Sequence, residues 1–185
     1  MKQDIDAKIL TLIKDKTSVE QGFRLLMDTY QERLYHQIRR MLNDHEDTND
    51  VLQNVMIKVF RNINKFEQNS ALYTWLYRIA SNETISYIRS KKRKTTSSIE
   101  NEDLGLENTL KAEQSFDGKD AERILQNALE ELPEKERLVF NMRYFDEMSY
   151  KEISEVLNTS VGSLKASYHH AVKKIEHFIK QRNFI

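Results

Sequence analysis

A polar stripe along one predicted helix carries the residue types that read nucleic acid. Arg78, Asn82, Ser86 and Arg89 recur at steps of three and four, so they share one face of a helix. Asn and Arg side chains hydrogen-bond to base edges, and clustered Lys and Arg side chains hold phosphates. The cations that follow this stripe are Lys91, Lys92, Arg93 and Lys94. The pattern indicates a nucleic-acid-binding face.

A second candidate site is the segment SYKEISEVLNTSVGSLKASYHHAVKKI. It predicts a short amphipathic helix, a break at Asn158-Thr159 and a longer basic helix, which is the layout of a helix-turn-helix. The expected apolar seam comprises Ile153, Val156, Leu157, Val161, Leu164, Tyr168 and Val172. The polar residues left on other faces include Ser163, Lys165, Ser167 and His169. An ordinary helical hairpin is the alternative interpretation of this segment alone.

Three further features have two interpretations each. Asp47, Asp50 and Gln53 recur at three-residue steps beside an apolar stripe, as in a solvated face or a docking face for a basic protein partner. Trp75 lies between two leucines and is expected to pack, although it could also stack on a base. His169 and the next histidine point about 100° apart on a helix and have no carboxylate at ligand spacing, so we expect no metal site.

Helical periodicity dominates the elements that must position these residues. The first helix is marked by Ile5, Ile9, Leu12 and Ile13. The second starts near Ser18, where Gln21 completes a capping-box pattern. The third has Val51, Val55, Val59 and Phe60 as its inward stripe. The later helices are expected at about 71–93, 120–132, 134–145, 149–157 and 160–182, with a capping box at Ser149 and Glu152.

These elements predict an all-α fold of two small helical domains joined by a flexible acidic linker. The N-terminal domain covers residues 1–94, the linker 95–119 and the C-terminal domain 120–185, which is a four-helix domain with the helix-turn-helix. The net charge is zero, but basic and acidic residues are concentrated in different segments of the chain. Residues 1–94 carry 17 basic and 12 acidic residues, residues 95–120 carry 2 and 7, and residues 121–185 carry 10 of each. Separated basic stretches suggest two contacts with a polyanion.

Composition excludes several classes of protein. Four Gly and one Pro in 185 residues argue against a turn-rich all-β chain. The absence of Cys excludes disulfides, thiolate zinc sites and Cys nucleophiles. No apolar run approaches the roughly 20 residues that span a bilayer, and the residues at the start lead us to expect no secretory signal. We therefore expect a soluble, cytoplasmic protein without membrane insertion.

Four segments in order resemble a bacterial sigma factor of the extracytoplasmic-function group. They are DxxDVxQxxxxKVF at Asp47–Phe60, the segment Phe66–Arg89 with its ALYTWLYRIASN core, LxxLPEKERLVFNMRYF at Leu129–Phe145, and the helix-turn-helix segment. They look like that family's second conserved region, its continuation, and the two parts of its fourth region. The resemblance covers nearly the whole chain.

The resemblance implies that the protein joins core RNA polymerase and directs it to promoter DNA, with an anti-sigma factor as a further partner. By position, Asp47, Asp50, Gln53 and Ile57 fall where the family binds the polymerase. Asn82, Ser86 and Arg89 fall where it reads the minus-ten strand, and the loop 64–72 falls where a flipped base is held. Ser163, Lys165, Ser167 and His169 fall on the helix that reads the minus-thirty-five element.

Two other classes of function are weaker. A stand-alone helix-turn-helix regulator explains residues 121–185 but leaves 47–94 without a role. An enzyme is not expected, because the sequence has no Gly-rich phosphate loop, no Cys and no nucleophile–base pattern. No cofactor and no small-molecule substrate are expected either.

Overall fold

The computed structural model describes residues 2–99 and 118–181, with side chains from 4 to 94 and from 122 to 181. Within these ranges the chain forms eight α-helices and one short 3-10 helix, and no strand occurs in them. The helices are α1 (Lys2–Lys14), α2 (Val19–Leu42), α3 (His45–Asn62), α4 (Leu72–Ile99), α5 (Gly118–Glu130), α6 (Glu134–Tyr144), α7 (Tyr150–Leu157) and α8 (Val161–Gln181). The predicted all-α class is confirmed.

The first four helices, which we call the N-terminal group, pack against one another around an apolar core. Gly22 lets α2 approach α1 closely, because a Cβ there would lie 2.8 Å from the backbone nitrogen of Ile13. Asn43 ends α2 in the left-handed conformation at φ 60°. Asp44 then caps α3 by accepting the backbone N–H of Asp47 at 2.8 Å.

Four local predictions in the N-terminal group need correction. Ser18 is the N-cap of α2 but forms no capping hydrogen bond, because its hydroxyl donates instead to the Leu12 carbonyl at 3.1 Å. Phe60 is 55% exposed and Ile5 is 39% exposed, so neither belongs to the core stripe of its helix. Helix α4 continues to Ile99, past the predicted end at 93, so that the first residues assigned to the linker are helical. Residues 100–117, the rest of the predicted linker apart from its last two, lie outside the described residues.

The last four helices, which we call the C-terminal group, contain the predicted helix-turn-helix. The capping box before α7 is confirmed, with Ser149 and Glu152 each bonding the other's backbone N–H. Asn158 ends α7 in the left-handed conformation, at the predicted break. Ile153 and Leu164 are fully buried in the seam between α7 and α8. Val161, assigned to the same seam, is 38% exposed because it begins α8 on the outer side.

The two groups share one core, whereas the sequence predicts two small domains joined by a linker. Helix α6 packs against α2, and α7 packs against α4. The largest cluster of buried residues includes Leu34, Ile38 and Ala80 of the N-terminal group together with members of the C-terminal group. Those members are Leu138, Val139, Met142, Met148, Ile153, Val156 and Leu164. A second, smaller cluster lies among α5, α6 and α8.

In the part of the chain that the structure describes, none of the helices has the length and apolar character needed to span a membrane.

Candidate nucleic-acid interface

The predicted reading stripe lies on the outer face of α4. Its members Arg78, Asn82, Ser86 and Arg89 are all exposed, because the opposite face carries the buried residues of the helix. Ser86 and Arg89 line one open pocket of about 550 Å³ with Lys92 and Arg93. Three cations and a hydroxyl therefore surround a single surface concavity, which suits a phosphate or a base edge.

Two cations of this pocket are paired with one carboxylate of the C-terminal group. Glu134, the first residue of α6, lies 2.8 Å from the Nζ of Lys92 and 3.6 Å from the Nε of Arg89. The hydrogen bond from Lys92 holds the pKa of Glu134 below its usual range. The charge that would attract DNA is thus partly neutralised within the chain.

The loop assigned to a flipped base forms one wall of a pocket of about 260 Å³. Loop residues Lys65, Phe66, Glu67, Asn69 and Ser70 line it with Trp75, Arg78 and Glu155. Trp75 is half-buried and its ring centroid lies 5.4 Å from that of Phe66. The same indole also lines a neighbouring pocket of about 380 Å³ that contains Asn82. Trp75 therefore packs, as expected, and also presents surface to both pockets.

The predicted polymerase-binding stripe is exposed along α3 except at its first residue. Asp50 and Gln53 are exposed, and Ile57 is 43% exposed. Phe60 lies three residues further along this face and is the most exposed large apolar residue among those that the structure describes. Its helical spacing from Ile57 could have identified it as a member of the stripe.

Asp47, by contrast, turns towards α4. Its carboxylate accepts the Tyr87 hydroxyl at 2.5 Å and pairs with the ammonium of Lys91. These two donors hold the pKa of Asp47 below its usual value, and the hydrogen bond to Asp47 raises the pKa of Tyr87 to about 12. The structure therefore joins one predicted polymerase-binding residue to one predicted DNA-binding residue.

The start of α8 presents most of the predicted recognition residues to solvent. Ser163, Lys165 and His169 are exposed, and Ser167 is half-buried. The backbone N–H of Ser163 donates to the Ser160 hydroxyl at 3.3 Å, which places Ser163 in the first turn of the helix. Among the described residues, no three His, Asp or Glu side chains are grouped so that they could hold a metal ion.

Sequence reasoning missed three residues that complete this surface. Tyr87 donates a hydrogen bond to Asp47, Glu134 forms ion pairs with two cations of α4, and Glu155 lines the loop pocket. Tyr87 lies four residues before Lys91 on α4, so helical spacing could have associated it with the basic end. Glu134 and Glu155 had no such signal, because their neighbours on α4 are distant in sequence.

Comparison with known protein families assigns both halves of the chain. The model described as "Sigma-70 region 2" matches residues 26–94, and the model described as "Sigma-70, region 4" matches residues 122–175. These matches include the N-terminal helices that a stand-alone helix-turn-helix regulator leaves unexplained.

Curated proteins similar to this chain agree with these matches. The "ECF RNA polymerase sigma factor SigW" of Bacillus subtilis is 34% identical over 164 residues, covering 83% of this chain and 87% of the relative. The "ECF RNA polymerase sigma-E factor" of Escherichia coli is 30% identical over 169 residues, covering 87% and 88%.

Solved structures with the same fold include two complexes. The sigma factor RpoE of Bartonella quintana, solved with the anti-sigma factor NepR, has a TM-score of 0.68 at 20% identity and covers 86% of this chain and 98% of that one. CnrH, solved with the cytosolic domain of CnrY, has a TM-score of 0.68 at 17% identity and covers 96% and 99%.

Proposed function

The chain belongs to the sigma-70 family, in the extracytoplasmic-function group of transcription initiation factors that direct RNA polymerase to promoters, and from this premise we propose a role for each exposed surface. The N-terminal group reads the minus-ten element and binds core polymerase. The C-terminal group reads the minus-thirty-five element. Tethering two modest readers on one chain raises the effective concentration of the second once the first has bound.

We propose that α4 and the loop before it hold the minus-ten strand. Asn82, Ser86 and Arg89 face the bases, while Lys91, Lys92 and Arg93 at the basic end hold phosphates. A base that leaves the duplex costs a few kcal/mol of stacking and pairing, which a preformed pocket offsets. The pocket between the loop and Trp75 supports this role, since its walls combine two aromatic rings with polar side chains.

The minus-thirty-five reader is the first half of α8. In a helix-turn-helix the N-terminal residues of the second helix contact base edges. Ser163, Lys165, Ser167 and His169 lie in this half, and the first turn also offers backbone N–H groups to a phosphate. The proposal is supported by the exposure of Ser163, Lys165 and His169, beside which Ser167 is half-buried.

The docking face for core polymerase lies along α3. Asp50, Gln53 and Ile57 project from it, and Asp47 contributes to its acidic end. Phe60 extends the face with an aromatic ring that lies T-shaped to the ring of Phe23, at 5.2 Å between centroids. An acidic and apolar face of this kind complements a basic partner surface with an apolar centre.

Three further proposals concern partners, chemistry and location. An anti-sigma factor is a partner of this chain, as NepR is of the structural neighbour from Bartonella quintana. The chain itself catalyses no reaction, because RNA synthesis belongs to the polymerase. It acts in the cytoplasm, where polymerase and promoters are found.

The observation that carries the proposal is the exposed stripe on α4 that lines one cationic pocket at its basic end. The test is run-off transcription by purified core polymerase with this chain on a genomic library, which first identifies its promoters. Arg89→Ala is expected to reduce open-complex formation on them, whereas Arg24→Ala, which removes an exposed arginine of α2, is expected to leave it unchanged. Equal activity of the two variants would refute the assignment of α4.

Docking is tested separately by pull-down of core polymerase. Asp50→Lys is expected to weaken binding, because it reverses a charge on the α3 face. Asp28→Lys makes the same change on an exposed position of α2 and is expected to bind as the wild type does. Unchanged binding of Asp50→Lys would show that polymerase docks elsewhere.

A further inference from the structure

Glu83 places a carboxylate beside the residues that we assign to the minus-ten strand. It follows Asn82 on α4, and both residues line the pocket of about 380 Å³ next to the loop pocket. The side chain of Glu83 is 18% exposed, so most of it is shielded from solvent. A carboxylate at this place repels the phosphates of DNA, and it therefore weakens binding unless it contacts another part of the nucleotide.

Only one of the two carboxylate oxygens of Glu83 has a partner among the described residues. The ammonium of Lys58, on α3, pairs with Oε1. Oε2 keeps its lone pairs for a further donor. The Lys58 side chain is half-exposed, and a partly exposed ion pair adds little to stability, so the fold does not depend on this contact.

The other walls of the pocket suit an unpaired nucleotide. Trp75 borders both this pocket and the loop pocket, and an aromatic ring stacks with any base. Lys58 and Lys65 also line the pocket and supply cations for phosphates. The pocket therefore combines a stacking surface, phosphate-binding cations and, in Glu83 and Asn82, polar groups for a base edge.

A carboxylate in such a pocket distinguishes bases by their amino groups. When ionised it only accepts hydrogen bonds, and the amino groups of cytosine and adenine donate them. A base that has left the duplex is read along its Watson–Crick edge, where guanine also carries an amino group. Thymine has no amino group, and the two carbonyl oxygens on that edge repel a carboxylate.

We propose that Glu83 is a specificity-determining residue of the minus-ten reader, which makes the pocket beside Trp75 accept an unpaired base with an amino group and reject thymine. This inference rests on the function proposed above, which assigns the α4 face to DNA. It adds a chemical preference at one position of the promoter.

The experiment compares cytosine with uracil, two pyrimidines of the same size that differ in an amino and a keto group. The probe is a fluorescent 20-nucleotide non-template strand of a promoter identified by the run-off transcription described above. Each minus-ten position carries cytosine or deoxyuridine in turn, and binding is measured with the complex of core polymerase and the full chain. At one position we expect the wild type to bind the cytosine probe at least about fivefold more tightly, the lower end of the discrimination by a good side chain–base pair.

Two variants show whether Glu83 causes this preference. A glutamine amide both donates and accepts, so in Glu83→Gln the ratio of the two affinities is expected to fall to about one. Glu20→Gln also removes a carboxylate that pairs with a cation, Arg24 on α2, and is expected to keep the wild-type ratio. Circular dichroism checks that both variants keep their helical fold.

Three results would overturn the inference. The wild type could bind both probes equally at every position, or Glu83→Gln could keep the wild-type ratio. Glu83→Gln could also bind both probes more tightly by the same factor, which would show that the carboxylate only neutralises Lys58. The proposed function has a separate readout, because it is refuted by Arg89→Ala forming open complexes as the Arg24→Ala control does.

Discussion

Lys165 is the residue whose substitution best distinguishes base reading from phosphate binding. It is exposed in the second turn of α8, and its Nζ lies 5.9 Å from the centre of the Tyr150 ring, which supports the side chain without burying it. As a base reader, Lys165→Ala should cost roughly 1–3 kcal/mol on the preferred promoter and relax preference at one position. The measurement is transcription from a panel of minus-thirty-five variants at two salt concentrations.

Ser163, two residues earlier, provides the contrasting case. We expect it to hold a phosphate beside the N-terminal amides of α8, so Ser163→Ala should weaken all promoters of the panel alike and keep their ranking. If Lys165 instead bound a phosphate, Lys165→Ala would weaken binding to all promoters equally. It would also lower the slope of log affinity against log salt concentration by about one. If Lys165→Ala kept the promoter ranking and the salt dependence of the wild type, Lys165 would have neither role. The contact would then be assigned to Ser167 or His169.

Asp47 gives a pH-dependent prediction, because its pKa is lowered by donors on another helix. A carboxylate with a lowered pKa stabilises the fold above its unfolded pKa of about 3.9, and this contribution disappears as the pH falls through the lower folded value. Asp47→Asn should therefore be less stable than the wild type by about 0.5–1.5 kcal/mol at pH 7. The difference should shrink below about pH 4. Urea unfolding at several pH values measures it.

The matched control for this prediction is Asp50→Asn. Asp50 lies on the same helix, but its side chain is exposed on the outer face. Its removal should leave stability within about 0.5 kcal/mol of the wild type at every pH. A loss in Asp47→Asn that grew as the pH fell would contradict the role given to Lys91 and Tyr87.

At the scale of elements, the close contact of α1 with α2 depends on one glycine. Alanine has the better helix propensity, but a Cβ at Gly22 would lie 2.8 Å from the backbone nitrogen and from Cγ1 of Ile13. The backbone cannot yield as a side chain would, so Gly22→Ala should destabilise the protein by about 1–3 kcal/mol. A Cβ at Gly162 meets nothing within 4 Å, so Gly162→Ala should be neutral or stabilise by up to about 1 kcal/mol. Thermal unfolding compares the two, and equal effects would contradict the packing argument.

Helix positions were predictable from the sequence because apolar periodicity and capping residues act locally. The capping box at Ser149 formed as predicted, since its partner Glu152 lies on the same turn. The similar pattern at Ser18 failed because the preceding turn offers the hydroxyl other acceptors, Leu12 and Asp15. The prediction for Phe60 was wrong for a different reason: its apolar character predicts burial, but its ring packs against Phe23 of α2 and remains 55% exposed.

At the scale of the whole molecule, the residues of the candidate site were predictable from the sequence. The residues of the C-terminal group that pack against them were not. Exposed polar stripes follow from helical spacing, so Asn82, Ser86 and Arg89 lie on one face as expected. Glu134 and Asp146 look like solvated acidic residues in the sequence. Their pairing with α2 and α4 depends on contacts between residues more than 40 positions apart. No local sequence pattern predicts such a contact, because each charged residue would fit a solvent-exposed position equally well.

The shared core predicts that the free chain unfolds as one cooperative unit. Tyr77→Phe removes the hydroxyl that Asp146 accepts between the groups, whereas Tyr30→Phe removes one that Asp6 accepts within the N-terminal group. Each loss should cost about 0.5–1.5 kcal/mol. Only the first should uncouple the groups, because it leaves the buried carboxylate of Asp146 with fewer donors in the contact that joins them.

Calorimetry of the full chain separates these two effects. The wild type and Tyr30→Phe should each show a single transition in which the van't Hoff and calorimetric enthalpies agree, which is the test of two-state unfolding. Tyr77→Phe should broaden the transition, since the two groups then unfold at different temperatures. The ratio of the van't Hoff enthalpy to the calorimetric enthalpy should fall. The two variants could instead show equal shifts in melting temperature and an unchanged enthalpy ratio. That result would mean that the apolar part of the shared core, from Leu138 to Leu164, couples the groups without the polar contact around Asp146.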